Sequence, residues 1–213
     1  CNYLVDNGIA CFDVNGWQGC YGEELPPNNR RNGQNMGNPS ACSCAHKAFE
    51  YIKKAYNVEE KCLVFGNSMG GLLALNYANN FRGDILGCFL LYPVTDLKAQ
   101  AWDNPWNTKC HENIIDFYLM PDDTWDEKCT YGYNPINNNY CGIPIFIWHG
   151  TSDTTVSYQG SVDFANKQNS QGGGVYLRTV NGLGHGNYEA WRNIFETESI
   201  GAVNWFTTTE SAL

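Results

Sequence analysis

The apolar positions of this chain fall into short dense runs, separated by stretches in which they recur every three or four residues. The dense runs are Lys61-Cys62-Leu63-Val64-Phe65, Ile85-Leu86-Gly87-Cys88-Phe89-Leu90-Leu91-Tyr92, Ile143-Pro144-Ile145-Phe146-Ile147-Trp148 and Val175-Tyr176-Leu177-Arg178-Thr179-Val180. Runs with little alternation are what strands covered on both faces of a parallel sheet carry. A fifth run, Ile9-Ala10-Cys11-Phe12-Asp13-Val14, also reads as a strand. It is entered from a helix that ends at Asn7-Gly8, a good stop because both residues tolerate the left-handed conformation. Ala45, Phe49, Ile52 and Tyr56 stand at helical spacing and predict an amphipathic helix over 41–57, with Ser40 as its cap. Further helices are predicted over 69–81, 160–170 and 187–206, the last amphipathic through Tyr188, Trp191, Ile194 and Phe195.

This alternation predicts an α/β fold, a mostly parallel sheet with helices on both faces, in a single domain over residues 1–213. Residues 97–142, with Trp102, Trp106, Trp125 and three cysteines, read as a cap-like insertion between strands. The Gly, Asn and Pro-rich stretch 15–39 is long enough for a lid or binding loop.

Chemistry enters at Phe65-Gly66-Asn67-Ser68-Met69-Gly70-Gly71, which joins a predicted strand to a predicted helix. In that setting a G-x-S-x-G pattern holds a serine on a strained turn with its hydroxyl above the sheet. Side chains at positions 66 and 70 are expected to collide with the neighbouring strand or helix. Downstream, Trp148-His149-Gly150-Thr151-Ser152-Asp153 places Asp153 in a loop just past a strand. Asn181-Gly182-Leu183-Gly184-His185-Gly186 places His185 in a glycine-rich loop past the next. All three residues leave the same edge of a parallel sheet, where open α/β sheets place their sites.

A serine hydroxyl is a poor nucleophile until a base stands within hydrogen-bond reach and a third group fixes the base's tautomer. Ser68, His185 and Asp153 can supply that set, with the backbone N–H of Met69 donating to the developing oxyanion. The plain alternatives are a serine in an ordinary glycine turn, a loop histidine, and an aspartate capping the next turn. Asp96 and Asp163 rival Asp153 as the acid. His46 and His111 read as surface or packing residues.

On Gly66-Asn67-Ser68-Met69-Gly70-Gly71, the Trp148–Val156 segment and Gly184-His185-Gly186, the chain resembles an α/β-hydrolase of the prolyl-oligopeptidase-like and carbohydrate-esterase-like branch, over roughly residues 1 to 206. The resemblance implies that Ser68 is the nucleophile, His185 the base and Asp153 the orienting acid, and that His149 is structural. It also implies that residues 9–14 correspond to the family's fourth strand, with the third strand and its oxyanion loop upstream. The chain begins at Cys1, and the reading favours the C-terminal larger part of a hydrolase domain. An upstream polypeptide segment would then complete the sheet, because buried backbone groups left unpaired are costly. The alternative slides strand 9–14 into the empty place, with Asn15-Gly16-Trp17 as the oxyanion loop.

Bulk properties narrow the partners. The chain has 213 residues, 43% of them hydrophobic, and a net charge of −9, which argues against nucleic acid as a partner. No apolar run approaches a membrane span. Cys11, Cys62 and Cys88 fall in predicted strands and read as buried thiols; Cys20, Cys42, Cys44, Cys110, Cys129 and Cys141 are candidates for bridges, which leans towards an oxidising, extracytoplasmic compartment. Cys42-Ser43-Cys44-Ala45-His46 lacks the paired spacing of a zinc site, so neither metal nor cofactor is expected. Trp17, Trp102, Trp106, Trp125 and Tyr133 could line an acyl or sugar pocket, though core and cap packing is the plainer reading. The expected activity is hydrolysis of a small-molecule or carbohydrate carboxylic ester through an acyl-enzyme. The alternatives are a prolyl-oligopeptidase-like peptidase and a non-catalytic module of a larger assembly.

Overall fold

The structure is a computed structural model and describes residues 2–6, 8–14, 35–103, 108–121 and 123–210. Its centre is a four-stranded sheet of β1 (Cys62–Asn67), β2 (Ile85–Leu91), β3 (Ile145–Gly150) and β4 (Val175–Val180), in that spatial order. Every pairing is parallel. The helices are α1 (Asn2–Asp6), α2 (Pro39–Ala55), α3 (Met69–Asn80), α4 (Thr108–Tyr118), α5 (Tyr158–Ser170) and α6 (Tyr188–Glu210).

Residue alternation along β2 and β3 decides which helix covers which face. Cys88 and Leu90, with Ile145 and Ile147, pack against Leu75 and Ala78 of α3 and Phe164 of α5. Phe89 and Leu91, with Phe146 and Trp148, pack instead against Trp191 and Ile194 of α6. Right-handed crossovers along a sheet whose strands follow chain order put α3 and α5 on one side, leaving the other to α6. A further cluster gathers Leu97, Ala101, Cys110, Ile114, Tyr118 and Met120 of the 97–142 segment on Leu72 of α3, Val94 and Val156. The segment therefore shares its apolar packing with the α/β core.

Several expectations are corrected. Residues 9–14 form no strand; Phe12 stacks on Phe49 of α2 at 6.3 Å instead. The run is apolar enough for a strand, but a strand exists only where a neighbour takes its hydrogen bonds. Cys11 is accordingly half-buried and lies outside the sheet; Cys62 is half-buried in β1, and Cys88 is fully buried. The cap of α2 is Asn38, whose Oδ1 accepts from the Ala41 N–H at 2.8 Å, because Pro39 takes the first helical position. Ser40 lies inside the helix. Cys42, Cys129 and Cys141 carry free thiols, so the bridges expected for them do not form. The alternative oxyanion loop 15–17, Cys20, the rest of the 15–34 stretch and Trp106 lie outside the described residues. Among the described residues no helix is long and apolar enough to cross a membrane.

Candidate active site

Ser68 stands between the last residue of β1 and the first of α3, at φ 53° and ψ −123°. A positive φ at a residue with a Cβ is a strained state, held only where the surroundings over-determine it. Here the Ser68 N–H donates to the Leu91 carbonyl at 3.0 Å, and the Ser68 carbonyl accepts from the N–H groups of Gly71 (3.0 Å) and Val94 (3.1 Å). The turn is thereby tied to the exit of β2. A Cβ at Gly66 would overlap the Gly70 carbonyl, and one at Gly71 would lie 2.5 Å from Pro93 Cβ. Gly70 has no such neighbour, its nearest contact being 3.7 Å away. The glycines that the close approach demands are thus 66 and 71, correcting the expectation for 70. The Met69 N–H, first in α3, has no partner among the described residues, as a first-turn N–H aimed at a ligand would not.

Asp153 and His185 meet across the ends of β3 and β4. His185 Nδ1 donates to Asp153 Oδ2 at 2.8 Å, which leaves Nε2 as the free lone pair. The Asp153 side chain is fully buried and that of His185 half-buried. Asp153 Oδ1 accepts the N–H groups of Thr155 and Val156, each at 2.9 Å. His149 Nε2 lies 3.4 Å from Asp153 Oδ2. Burial alone would push the Asp153 carboxyl up; the hydrogen bonds from His149, His185, Val156 and Thr155 outweigh it and hold the group well below the usual carboxylate range.

His149 is fully buried, and its tautomer follows from its partners. Nε2 faces the Val156 carbonyl at 3.1 Å, which can only accept, so Nε2 carries hydrogen. Nδ1 meets Ser161 Oγ at 2.7 Å. The structural role expected for His149 is therefore specific: it braces the carboxylate and the loop behind it. A histidine one residue before a strand's end gives no sequence signal of that hold.

The rivals are engaged elsewhere. Asp96 Oδ1 accepts from the Ala99 N–H (3.1 Å) and Asn134 Nδ2 (3.3 Å), and Asp163 Oδ1 accepts from Gln159 Nε2 (2.8 Å). Both border a groove that contains neither Ser68 nor His185. No hydrogen bond joins Ser68 Oγ to His185 among the described residues. What links the two corners is Tyr92, whose ring centroid lies 4.4 Å from that of His185 and whose hydroxyl receives a long 3.5 Å hydrogen bond from Asn67 Nδ2. Tyr92 escaped the sequence reading as the polar end of an apolar strand.

Of the groups that could hold a metal, His46, Glu50 and Asp84 place ligand atoms within 4.8 Å of one another. Their ligand atoms already have partners: His46 Nδ1 is 2.7 Å from Asp84 Oδ2, the Tyr77 hydroxyl donates to the same oxygen at 3.1 Å, and Lys53 Nζ stands 2.5 Å from Glu50. Cys42 Sγ points to the Gly37 carbonyl at 3.7 Å, and burial pushes its thiol far up, away from the thiolate a metal needs.

The family model for prolyl oligopeptidases matches residues 2–208. The chain belongs to the prolyl oligopeptidase family. Among solved structures it is similar to an acetyl ester-xyloside bifunctional hydrolase from Caldicellulosiruptor lactoaceticus, at 21% identity and TM-score 0.59 over 80% of this chain and 65% of that one. It is also similar to an S-formylglutathione hydrolase from Agrobacterium tumefaciens, at 16% identity and TM-score 0.56 over 75% of this chain and 53% of that one. A prolyl endopeptidase aligns at 19% identity and TM-score 0.57, over 76% of this chain and 25% of that one. These likenesses show the α/β-hydrolase fold. The chain spans between about half and two thirds of the length of the first two of these hydrolases. A comparison with curated protein sequences gave no match.

Proposed function

We propose that this member of the family is a serine hydrolase that cleaves carboxylic esters, acylated carbohydrate among them. The observation that carries the reading is the partly buried Asp153–His185 hydrogen bond of 2.8 Å at the same sheet edge as the strained Ser68. Ser68 Oγ attacks the substrate carbonyl as its proton passes to His185 Nε2. Asp153 holds Nδ1–H and stabilises the imidazolium. The Met69 N–H donates to the oxyanion. The imidazolium then protonates the departing alkoxide, leaving an acyl-serine, and water repeats the sequence with His185 as base. No metal or cofactor is called for.

Similarity to an acetyl ester-xyloside hydrolase supports the ester reading. The family match supports a second, cleavage of peptide bonds. The second oxyanion donor is assigned to a further polypeptide segment pairing along β1, the outer strand of the described sheet, where Phe65 is 49% exposed. Intact mass after exposure to a fluorophosphonate tests the nucleophile: one adduct is expected, absent in Ser68→Ala. No adduct on folded protein overturns the reading in favour of a non-catalytic role. Panels of p-nitrophenyl and acetylated-xyloside esters against proline-containing peptide amides separate the two activities.

A further inference from the structure

Tyr92 is the first residue after β2 and adopts φ 37°, a left-handed conformation that tyrosine rarely takes. It is 2% exposed. Its N–H donates to the Trp148 carbonyl at 2.7 Å, which prolongs the β2–β3 pairing by one bond and pins the strained residue. Strain of this kind persists where the surroundings require the side chain in one place.

That place is between three parts of the site. On one side the ring lies against His185, with centroids 4.4 Å apart and planes at 58°. On another it lies against Trp191 of α6, at 4.9 Å and 57°. The Trp191 indole N–H in turn donates to the Gly184 carbonyl at 3.0 Å, fixing the residue before His185. At its far end the phenol receives Asn67 Nδ2, from the residue before Ser68. One side chain therefore touches the histidine, the helix that fixes the histidine loop, and the residue that leads into the nucleophile turn.

We propose that Tyr92 is a positioning residue that sets the imidazole plane of His185 relative to Ser68, its ring acting as a wall. The assignment rests on the serine-hydrolase reading above. Asp153 controls one ring nitrogen but leaves the imidazole free to swing about the Nδ1–Oδ2 line, as any single hydrogen bond does. The ring removes that freedom. It also offers its electron-rich face to the imidazolium that forms when His185 takes the serine proton, an attraction that neutral imidazole lacks. The hydroxyl is secondary, since its hydrogen bond is long.

The test compares Tyr92→Phe, which keeps the ring, with Tyr92→Leu, which keeps apolar volume without it. Thermal unfolding confirms that each is folded, and ester turnover is measured as kcat and KM separately. Tyr92→Phe is expected to hold kcat within about 3-fold, and Tyr92→Leu to lose roughly 30-fold in kcat at little changed KM, as mispositioned general bases do. Equal losses in the two variants, or a folded Tyr92→Leu within 2-fold of wild type, overturn the proposal. A second measurement is independent of activity and of whether Tyr92→Leu folds. In the NMR spectrum of wild type, the His185 ring protons should be displaced by the Tyr92 ring current and unmoved in Tyr92→Phe. Undisplaced protons overturn the wall. Displaced protons with no fluorophosphonate adduct at Ser68 keep the contact, and the failure then lies with the hydrolase reading.

Discussion

The two corners of the site are held by different means. At the corner formed by β3 and β4, Asp153 receives the N–H groups of Thr155 and Val156, Nδ1–H of His185 and the nearby His149 Nε2–H, all around a buried carboxylate. At the corner formed by β1 and α3, the Ser68 side chain has no partner among the described residues, and its position is set by backbone hydrogen bonds and by two glycines that let chains touch. The Asp153–His185 pair is an electrostatic construction and the Ser68 turn a steric one. Substitutions that change charge or donors should therefore act at the first corner, and substitutions that change volume by one carbon at the second.

The largest effect sharpens the comparison. Ser68→Ala should reduce ester turnover by about 10⁶-fold, as loss of a nucleophile does elsewhere, while leaving thermal stability near that of wild type, because the hydroxyl has no hydrogen-bond partner among the described residues and alanine keeps the same backbone. Turnover and a melting curve on one preparation check both halves. Next, Gly66→Ala should cost about 3 kcal/mol or more, because its Cβ meets backbone that cannot yield. Gly70→Ala should fall within about 1 kcal/mol of wild type, on the stabilising side through helix propensity. Urea denaturation of the pair would break the steric account if the two behaved alike.

At the other corner, His149→Leu strands the Val156 carbonyl and the Ser161 hydroxyl and removes a donor from Asp153. A loss of about 2 kcal/mol is expected by urea denaturation. The smallest effect is in the acid limb. The Asp153 pKa is depressed on folding, so its contribution is present above the ordinary carboxylate value of about 4 and is lost as pH falls towards the folded value. Asp153→Asn should be less stable than wild type at pH 7, with the gap narrowing below about pH 4. Urea midpoints between pH 3 and 7 would show it, and a constant gap would remove the electrostatic account of this corner.

Much of this was legible in the chain, for identifiable reasons. Continuous apolar runs marked β2 and β3 because both faces of a parallel strand are covered, and the β3 run together with the Val175–Val180 run located the loops that carry Asp153 and His185. Residues 9–14 look the same locally but pair with no strand among the described residues, since pairing is a property of the neighbour and not of the run. The Asn38 cap was hidden by Pro39, which takes the first helical position and starts the helix two residues earlier than expected. Gly70 and Gly71 are indistinguishable as letters; only the position of Pro93 across the turn tells which one must lack a side chain. Tyr92 touches His185 and Trp191, residues far along the chain, and no local pattern announces such contacts.

Gly150 closes β3 beneath the loop that carries His185, and any side chain there would overlap the Leu183 carbonyl oxygen. The height of that loop above the sheet is consequently gauged by main chain resting on main chain. Only part of that rim is free to vary: Asn181 is exposed and can change in size and polarity, whereas Gly182 is held at φ 74° and Leu183 packs on the Trp148 and Trp191 cluster.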